Sequence, residues 1–355
     1  MNAETSLIQR IAVVGAGSFG SALASVFATN GHEVTLLARR DSLIQEINQH
    51  HTNKQYLPGV SLHPAIFATS DEKHIANADL IVLVVPSHAM RETCERIAPL
   101  LQSKSKVKVA HATKGLEVGT MARMSTVILD SCPFLQEQNL AVLSGPSHAE
   151  EVSRELPTTL VVASASKSTA EYIQDMLMNR VLRVYTNPDV VGAELGGALK
   201  NIIALGCGIS DGLGYGDNAR AAIMTRGLVE ISRLGIRLGA AFNTFSGLTG
   251  VGDLIVTCTS RHSRNWNAGY LLGQGFSLDD ALQKVGMVVE GVRTTKVALA
   301  VANEVAVPMP IASAIGDILF NQKSPRLAVD ELMSRTRTHE MEPFIQDATT
   351  GWMFP

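Results

Sequence analysis

Residues 11–20, IAVVGAGSFG, join a short apolar run to the glycine pattern G-x-G-x-x-G. The apolar run is typical of a buried strand, and the pattern of 18–29 predicts a helix that begins within the glycine pattern, at Ser18. In this context Gly15 permits a tight turn, Gly17 lets backbone N–H groups approach a pyrophosphate, and Gly20 lets the helix pack against a sheet. A strand-to-helix turn without a ligand is the alternative interpretation.

Short apolar runs alternate with helical patterns through the first half of the chain. The expected strands are 10–14, 33–38, 80–85, 107–111, 140–143, 158–163 and 181–185. This alternation predicts an α/β fold, with a parallel, doubly wound Rossmann-type sheet in a dinucleotide-binding domain over residues 1–187. After Pro188 the strand pattern stops, so 188–355 is predicted to be an all-helical substrate and catalytic domain. Because no Ser/Gly linker separates the halves, we expect a packed junction, which is a common ligand site.

Composition excludes several classes of protein. The 355 residues are 46% hydrophobic and 18% charged, enough apolar material for two cores. A net charge of −3 is no reason to expect a nucleic acid partner. The N-terminus lacks a secretory pattern and the longest apolar runs are strand-sized, so we expect no membrane insertion and a cytoplasmic protein. Scattered cysteines and histidines without ligand spacing predict no metal site.

The end of the second expected strand bears on the choice of cofactor. An acidic residue about 20 positions after the glycine loop would bind the ribose 2′-hydroxyl of NAD. This chain has Arg39 and Arg40 there instead. Guanidinium groups match phosphate oxygens, so the pair favours the 2′-phosphate of NADP, with NAD still accepted. Two solvated surface charges are the alternative.

A lysine lies inside an apolar helical segment of the second half. Residues 194–205, ELGGALKNIIAL, are apolar on nearly every face, which is typical of a buried helix. Lys200 within it is a candidate proton donor, because burial lowers the pKa of a lysine toward neutral pH. A snorkelling lysine on a less buried helix is the alternative.

Other segments suit a small phosphorylated ligand. Lys114 follows an expected strand, the loop of 144–149 offers backbone donors, and Asp253 lies among apolar neighbours, with Arg264 soon after it. Taken singly, each of these residues is better explained by a structural role: Lys114 as a surface lysine, Asp253 as a helix cap and Arg264 as a member of an ion pair.

Taken together, the motifs resemble one family, the bacterial-type NAD(P)-dependent glycerol-3-phosphate dehydrogenases. They are A-T-K-G-L-E at 112–117, S-G-P-S-x-A-x-E at 144–151, E-L-G-G-A-L-K-N-I-I-A at 194–204, G-D-N-A-R-A-A-I-M-T-R-G at 216–227 and G-V-G-D-L-I-V-T-C-T-S-R-H-S-R-N at 250–265. They occur in family order over nearly the whole chain, and several are not generic to Rossmann enzymes.

The resemblance implies a role for each matching position. Lys200 matches the proton-transferring lysine and Asp253 the acid that supports it. The implied substrate contacts are Lys114, Gly145, Ser147, Lys200, Asp253, Thr257, Ser263, Arg264 and Asn265. With the glycine loop and the arginine pair, the expected cofactor contacts are Gly15, Gly17, Ser18, Phe19, Gly20, Arg39, Arg40, Lys114, Ala149, Arg264, Val288 and Glu290. Phe19 falls where related sequences often carry tryptophan, so an aromatic ring is kept.

The resemblance also implies interconversion of dihydroxyacetone phosphate and sn-glycerol 3-phosphate with NADPH or NADH, a supply of glycerol 3-phosphate for phospholipid synthesis, and a homodimer. Two alternatives are kept. One is an NADP-dependent hydroxyacid or ketopantoate-type reductase, against which the K-N-I-I-A and G-D-L-x-x-T-C segments argue. The other is a non-catalytic NADP-binding sensor, which would have no need of a proton donor.

Overall fold

The computed structural model describes residues 8–102, 104, 107–337 and 340, so the end of the predicted helical domain, 341–355, lies outside the described residues. The strands are β1 Arg10–Val14, β2 Glu33–Leu37, β3 Thr52–Asn53, β4 Leu57–Ser61, β5 Ile66–Thr69, β6 Leu80–Leu83, β7 Lys108–His111, β8 Leu140–Ser144, β9 Thr158–Ala163 and β10 Leu182–Asn187. The helices among and after them are α1 Ser18–Thr29, α2 Asp41–His50, α3 Met90–Leu101, α4 Met124–Ser131, α5 Ala149–Val152, α6 Lys167–Leu177, α7 Val190–Gly212, α8 Asp217–Arg237, α9 Phe242–Phe245, α10 Asp253–Thr259, α11 Arg264–Gly273, α12 Leu278–Val285, α13 Glu290–Glu304, α14 Pro310–Phe320 and α15 Pro325–Met333. Short 3₁₀ turns cover Glu72–Asn77, Ser87–Ala89 and Glu137–Asn139, and a π-turn covers Leu248–Gly252.

Eight strands form one sheet in the order β10-β9-β8-β7-β6-β1-β2-β5. From β1 the chain goes outward to β2 and β5 and returns on the other side of β1 as β6, so the strand order reverses there. Ligands of doubly wound folds bind in the crevice outside the carboxyl ends of strands at such a point. The sheet is buried on both faces, as parallel strands require. Ile11 and Val13 pack in one core with Phe27, whereas Ala12 and Val14 pack in the other with Met90.

The prediction of a parallel sheet is wrong at one pair of strands. β9 runs antiparallel to β8, whereas the other six neighbouring pairs of this sheet are parallel. The link between β8 and β9 contains only α5, which has four residues and rises about 6 Å. Such a helix is too short to carry the chain back along the sheet, so β9 returns in the opposite direction. The sequence analysis also missed β5 and the hairpin of β3 and β4.

Beyond β10 the described residues form helices around α7. The helical core is built from apolar side chains of α7, α8, α10, α11, α13 and α14. The last strand of the sheet ends at Asn187 and α7 begins at Val190. The domain division between residues 187 and 188 stays a prediction.

α7 is a long apolar helix of 23 residues. Among the described residues it is the one helix whose length and composition would allow it to cross a membrane, with a mean hydropathy of 1.3 over its most apolar window. However, 89% of that window is buried inside the protein. α7 is therefore the central helix of the helical core.

Four glycines bring α7 and α11 into backbone contact. A Cβ added at Gly208 would lie 2.1 Å from the carbonyl oxygen of Trp266, and one at Gly269 would lie 2.1 Å from that of Leu205. Gly212 and Gly273 meet the opposite helix backbone in the same way. Because no side chain separates the two helices here, the start of α11 lies directly beside the middle of α7.

Candidate active site

A cleft of about 1280 Å³ lies between the carboxyl edge of the sheet and the helical half. Every predicted site residue lines it except Gly145 and Asp253. Those two lie just behind the surface, where both contact Lys114. The structure therefore brings together residues from Gly15 to Glu290 that the sequence separates by most of its length.

The glycine loop follows β1 and ends at the beginning of α1. Gly15 has φ +113°, and a Cβ there would lie 2.5 Å from the carbonyl oxygen of Val84, so the turn requires glycine. A Cβ on Gly20 would lie 1.9 Å from the carbonyl oxygen of Gly15. A Cβ on Gly17 would meet nothing within 4 Å, because this position faces the open cleft. The loop fits a pyrophosphate, which would approach Gly17 and the N-terminus of α1.

Asn53, on the hairpin that the sequence analysis missed, fixes this loop from behind. Its fully buried amide nitrogen donates to the carbonyl oxygen of Ala16 at 3.0 Å and to Ser21 Oγ at 2.9 Å. Ser18 Oγ donates to the carbonyl oxygen of Tyr56, on the same hairpin, at 2.7 Å. The sequence shows only an asparagine three residues before Y-L-P-G, and this pattern does not indicate the role.

The two arginines after β2 lie at the same end of the cleft but differ in their contacts. Arg40 Nη1 donates to Gln55 Oε1, and the Arg40 guanidinium carbon lies 5.4 Å from the centroid of the Tyr56 ring. Arg39 lines the cleft and makes no hydrogen bond or ion pair within the described part of the chain. Both are therefore placed where β2 ends, beside the loop that would hold the pyrophosphate.

Lys200 lies on α7 at the bottom of the cleft and is only 5% exposed. The alternative of a snorkelling lysine is therefore wrong. Its Nζ donates to Asp253 Oδ1 and, at 2.6 Å, to Thr257 Oγ1. Thr257 Oγ1 in turn donates to the carbonyl oxygen of Asp253 at 2.6 Å. Burial lowers the pKa of Lys200 to about 7, against the opposing attraction of Asp253.

Asp253 is bound by two lysines from different halves of the fold. Its Oδ2 accepts from Lys114 Nζ at 2.6 Å, and Lys114 also donates to the carbonyl oxygen of Gly145 at 3.2 Å. Burial opposes the charged carboxylate, but the ammonium groups of Lys114 and Lys200 outweigh burial and hold the pKa of Asp253 below its ordinary value. The side chain does not cap α10, so the helix-cap alternative is wrong. The arrangement places two cations and one anion beside the cleft.

The N-terminus of α11 forms another wall of the cleft. Ser263 caps this helix by accepting from the backbone N–H of Trp266 at 3.2 Å. Arg264 Nη2 donates to Ser18 Oγ at 3.2 Å, so this guanidinium connects the helical half to the cofactor loop. A helix N-terminus with an arginine is a favourable place for a phosphate.

Asn265 connects three helices instead of standing free in the cleft. Its Nδ2 donates to Asn201 Oδ1 at 2.9 Å, and its Oδ1 accepts from the backbone N–H of Gly291 at 2.8 Å. Asn201 lines the cleft beside Lys200 and was not predicted as a site residue, although it belongs to the same motif. An amide nitrogen has two hydrogens, so Asn265 keeps one donor for a ligand.

Glu290, the first residue of α13, binds the opposite side of the cleft. Its carboxylate accepts from Ser87 N at 3.0 Å and from Ser87 Oγ at 2.7 Å. Ser87 follows β6, at the point where the strand order reverses. Val288, two residues earlier, is exposed at the cleft. Glu290 therefore joins α13 to the sheet edge where a dinucleotide would lie.

The loop after β8 supplies Ser147 and Ala149 to the cleft. Ser147 Oγ donates to the carbonyl oxygen of Gly145 at 3.2 Å, and Ala149 begins α5. His148 lies between them at an unspecified position of the motif and was not predicted as a site residue. Burial lowers the pKa of His148, and the positive charge of Lys200 acts in the same direction, which favours a neutral imidazole.

A second charged group lies one to two turns before Lys200 on α7. Glu194 is buried and accepts from Arg123 Nη1 and, at 2.7 Å, from both Ser125 N and Ser125 Oγ. His111 Nε2, at the end of β7, lies 3.2 Å from Glu194 Oε1. Burial opposes ionisation of Glu194, yet its partners hold its pKa below the ordinary value. These contacts join α7 to the strand that leads to Lys114.

Two features define the class of protein as a dinucleotide-dependent oxidoreductase. One is a nucleotide-binding loop at the switch point of a doubly wound sheet, and the other is a buried lysine on a helical partner domain. Two family models divide the chain between them. The N-terminal model of NAD-dependent glycerol-3-phosphate dehydrogenase matches residues 10–170, and the C-terminal model matches 189–330. The chain belongs to the NAD(P)-dependent glycerol-3-phosphate dehydrogenase family.

Individual relatives agree with this assignment. A glycerol-3-phosphate dehydrogenase [NAD(P)+] of Shouchella clausii is 53% identical over 94% of this chain and 98% of its own length. The enzyme of the same name from Bacillus subtilis is 51% identical over 95% of this chain and 98% of its own length. A crystal structure of glycerol-3-phosphate dehydrogenase from Coxiella burnetii superposes with a TM-score of 0.87, at 38% identity, over 92% of this chain and 99% of that one. The relatives' names support both NAD and NADP as cofactors.

Proposed function

We propose that this chain reversibly reduces dihydroxyacetone phosphate to sn-glycerol 3-phosphate, with one hydride from NADPH or NADH and one proton. The observation that carries the proposal is the buried Lys200, which Asp253 and Thr257 hold in the cleft that the glycine loop and Arg264 also line. A hydroxyacid or ketopantoate-type reductase and a non-catalytic sensor are the competing hypotheses. The two family models and the buried Lys200 favour the dehydrogenase over both.

Lys200 is proposed to transfer the proton. The reduced nicotinamide, when bound, supplies hydride to the carbonyl carbon, and the carbonyl oxygen then needs a proton. A protonated Lys200 would donate it as general acid, and neutral Lys200 would accept it in the reverse direction. Asp253 favours the charged form while burial and Lys114 oppose it, so the lysine is balanced near neutral pH. A proton donor is most effective when its pKa lies near the working pH.

Arg264 is proposed to bind the substrate phosphate at the N-terminus of α11, together with Ser263 and the remaining amide donor of Asn265. Lys114, with Gly145 and Ser147, would contact the substrate from the sheet side. Binding the phosphate away from the reacting carbon orients the ketone toward Lys200, and this remote binding energy accelerates the reaction when it fixes a reactive geometry.

The glycine loop is proposed to bind the pyrophosphate, and Arg39 and Arg40 the 2′-phosphate of NADPH. Phe19, Ala149, Val288 and Glu290 are further proposed cofactor contacts. The same proposal includes a preference for NADPH over NADH, a cytoplasmic location, a homodimer and a supply of glycerol 3-phosphate for phospholipid synthesis. Residues 1–187 would then bind the dinucleotide and 188–355 would supply most of the catalytic groups.

The test follows nicotinamide absorbance with purified protein, dihydroxyacetone phosphate and NADPH or NADH. We expect oxidation that depends on the phosphate of the substrate, with a higher kcat/KM for NADPH. Dihydroxyacetone without phosphate is the matched control, and ketopantoate tests the rival reductase. Equal kcat/KM for the two cofactors would contradict the role of the arginine pair, whereas no turnover by protein that binds NADPH would contradict the reaction.

The rate is expected to depend on pH in opposite ways in the two directions. Because the pKa of Lys200 lies at about 7, its acidic form is lost as pH rises through that value. The kcat/KM for ketone reduction should therefore fall above pH 7, and that for glycerol 3-phosphate oxidation should rise. The effect is measured by steady-state rates in both directions between about pH 5.5 and 9. This interval extends roughly two units on either side of that pKa. Parallel profiles in the two directions would argue against Lys200 as the titrating group.

Replacement of Arg264 by alanine is expected to raise KM for dihydroxyacetone phosphate by about tenfold or more, since a charged hydrogen-bond partner of the phosphate is lost. The loss in kcat should be smaller. Initial rates at saturating NADPH measure both constants, and Arg261→Ala, at an exposed position three residues earlier, is the control. A fall in kcat with unchanged KM would place Arg264 in the chemical step instead.

A further inference from the structure

The turn of the β3–β4 hairpin lies in the cleft and contains none of the predicted site residues. Asn53 fixes the hairpin to the glycine loop through its bonds to Ala16 and Ser21. Asn53 Oδ1 also accepts from the backbone N–H of Tyr56 at 3.3 Å. The turn is thereby held at a set position relative to the site proposed for the pyrophosphate.

Two side chains of this turn contact Arg40. Gln55 Oε1 accepts a hydrogen bond from Arg40 Nη1, and the ring of Tyr56 lies 5.4 Å from the guanidinium carbon. All three residues line the cleft. A guanidinium has five N–H donors, so the bond to Gln55 leaves four for a ligand. A guanidinium that lies over an aromatic ring can still bind phosphate oxygens through its N–H groups.

The charges around this end of the cleft suit an anion. β5 pairs in parallel with β2, so Glu72, shortly after β5, lies beside the arginines that follow β2. Glu72 also lines the cleft, but its carboxylate accepts from Arg96 Nε at 2.5 Å. This ion pair compensates the acidic charge that would otherwise repel a phosphate.

We propose that Gln55 and Tyr56 are positioning residues that hold Arg40 in the orientation that binds the 2′-phosphate of NADPH. This proposal rests on the proposed use of NADPH. An arginine without contacts loses side-chain freedom when it binds a ligand, whereas one already held in place loses less. Arg39, which has no such contacts, would contribute positive charge but is not held in a fixed orientation. The hairpin thus becomes a determinant of cofactor specificity, acting through Arg40.

The test measures binding of 2′,5′-ADP and of 5′-AMP, which lacks the 2′-phosphate, to the full-length protein by calorimetry. Tyr56→Leu is expected to weaken 2′,5′-ADP about two- to fivefold, the contribution of an exposed cation–π contact, and to leave 5′-AMP unchanged. Tyr56→Phe keeps the ring and should behave as the wild type. Gln55→Leu should act like Tyr56→Leu, and the ratio of kcat/KM for NADPH to that for NADH should fall in both variants.

A double-mutant cycle isolates the route through Arg40. Arg40→Leu should weaken 2′,5′-ADP by about tenfold or more. Adding Tyr56→Leu to Arg40→Leu should then have no further effect, because nothing is left to position. Two results would overturn the proposal. One is that Tyr56→Leu weakens 2′,5′-ADP binding as much in the Arg40→Leu background as in the wild type. The other is that Tyr56→Leu lowers the affinities for 2′,5′-ADP and 5′-AMP equally.

Two further controls separate this proposal from the reaction and from folding. Circular dichroism checks each variant, and Gln55→Leu at an exposed position provides the comparison if Tyr56→Leu does not fold. Equal affinity of the wild type for 2′,5′-ADP and 5′-AMP would also overturn the proposal. Failure of the wild type to oxidise NADH with dihydroxyacetone phosphate would refute the reaction alone, since the binding measurements do not depend on it.

Discussion

Replacement of Lys200 by alanine is expected to lower kcat for dihydroxyacetone phosphate reduction by about 10²-fold or more, the usual contribution of a general acid. The substrate oxygen would lose its proton donor at the bottom of the cleft. The variant should stay folded, because Lys114 still pairs with Asp253 at 2.6 Å. Initial rates at saturating substrate and NADPH, with a thermal unfolding curve, measure both effects.

Two additions make this experiment decisive. Lys167→Ala removes a largely exposed lysine of α6 and should leave kcat unchanged. A primary alkylamine added to Lys200→Ala should restore part of the rate, because the space left by the side chain can accept an amine that donates the same proton. A kcat near that of the wild type in Lys200→Ala would remove the proposed acid.

Replacement of Gly208 by alanine is expected to lower the free energy of unfolding by about 1–3 kcal/mol, the usual cost of forcing atoms into a packed core. Its new Cβ would lie 2.1 Å from the carbonyl oxygen of Trp266, which belongs to the α11 backbone. The helix-propensity gain of about 1 kcal/mol is too small to offset a displaced helix. Since α11 begins with Arg264, its displacement should also raise KM for the substrate.

Gly206 on the same helix provides a matched control. A Cβ there would lie 2.9 Å from Ile315 Cδ1, the end of a flexible side chain that can rotate away. Gly206→Ala should therefore be close to the wild type in thermal midpoint and in KM. Similar losses in both variants would show that the contact of the α7 and α11 backbones does not limit the position of α11.

Local patterns in the sequence were sufficient to predict most helices and strands of the fold. The glycine loop, the strands around β1 and the buried helix of Lys200 each depend on neighbours within one strand or a few helical turns, so periodicity and turn chemistry predict them. β9 was assigned as a strand, but its direction depends on how far a four-residue helix can carry the chain. The hairpin of β3 and β4 was missed because its two-residue strand has too few side chains for a pattern.

The residues of the candidate site were also named from the sequence, through glycine geometry, an isolated lysine and motifs shared with a family. Their partners were not. Glu290 binds Ser87 across 203 positions, Asn53 binds Ala16 across 37, and Asp253 joins two lysines from different halves of the chain. Such contacts depend on which faces of distant elements meet, and periodicity carries no information about that.

The sequence by itself thus determined most local conformations, the apolar helix that contains Lys200 and the chemical groups available for a hydride-transfer enzyme. Only the tertiary structure decided that Lys114 and Lys200 share one carboxylate, that the hairpin holds Arg40, and that glycine contacts bring α11 against α7. The reason is physical: strand and helix patterns arise from neighbouring residues, whereas the charge balance near Lys200 arises from burial and groups that meet only after the chain has packed.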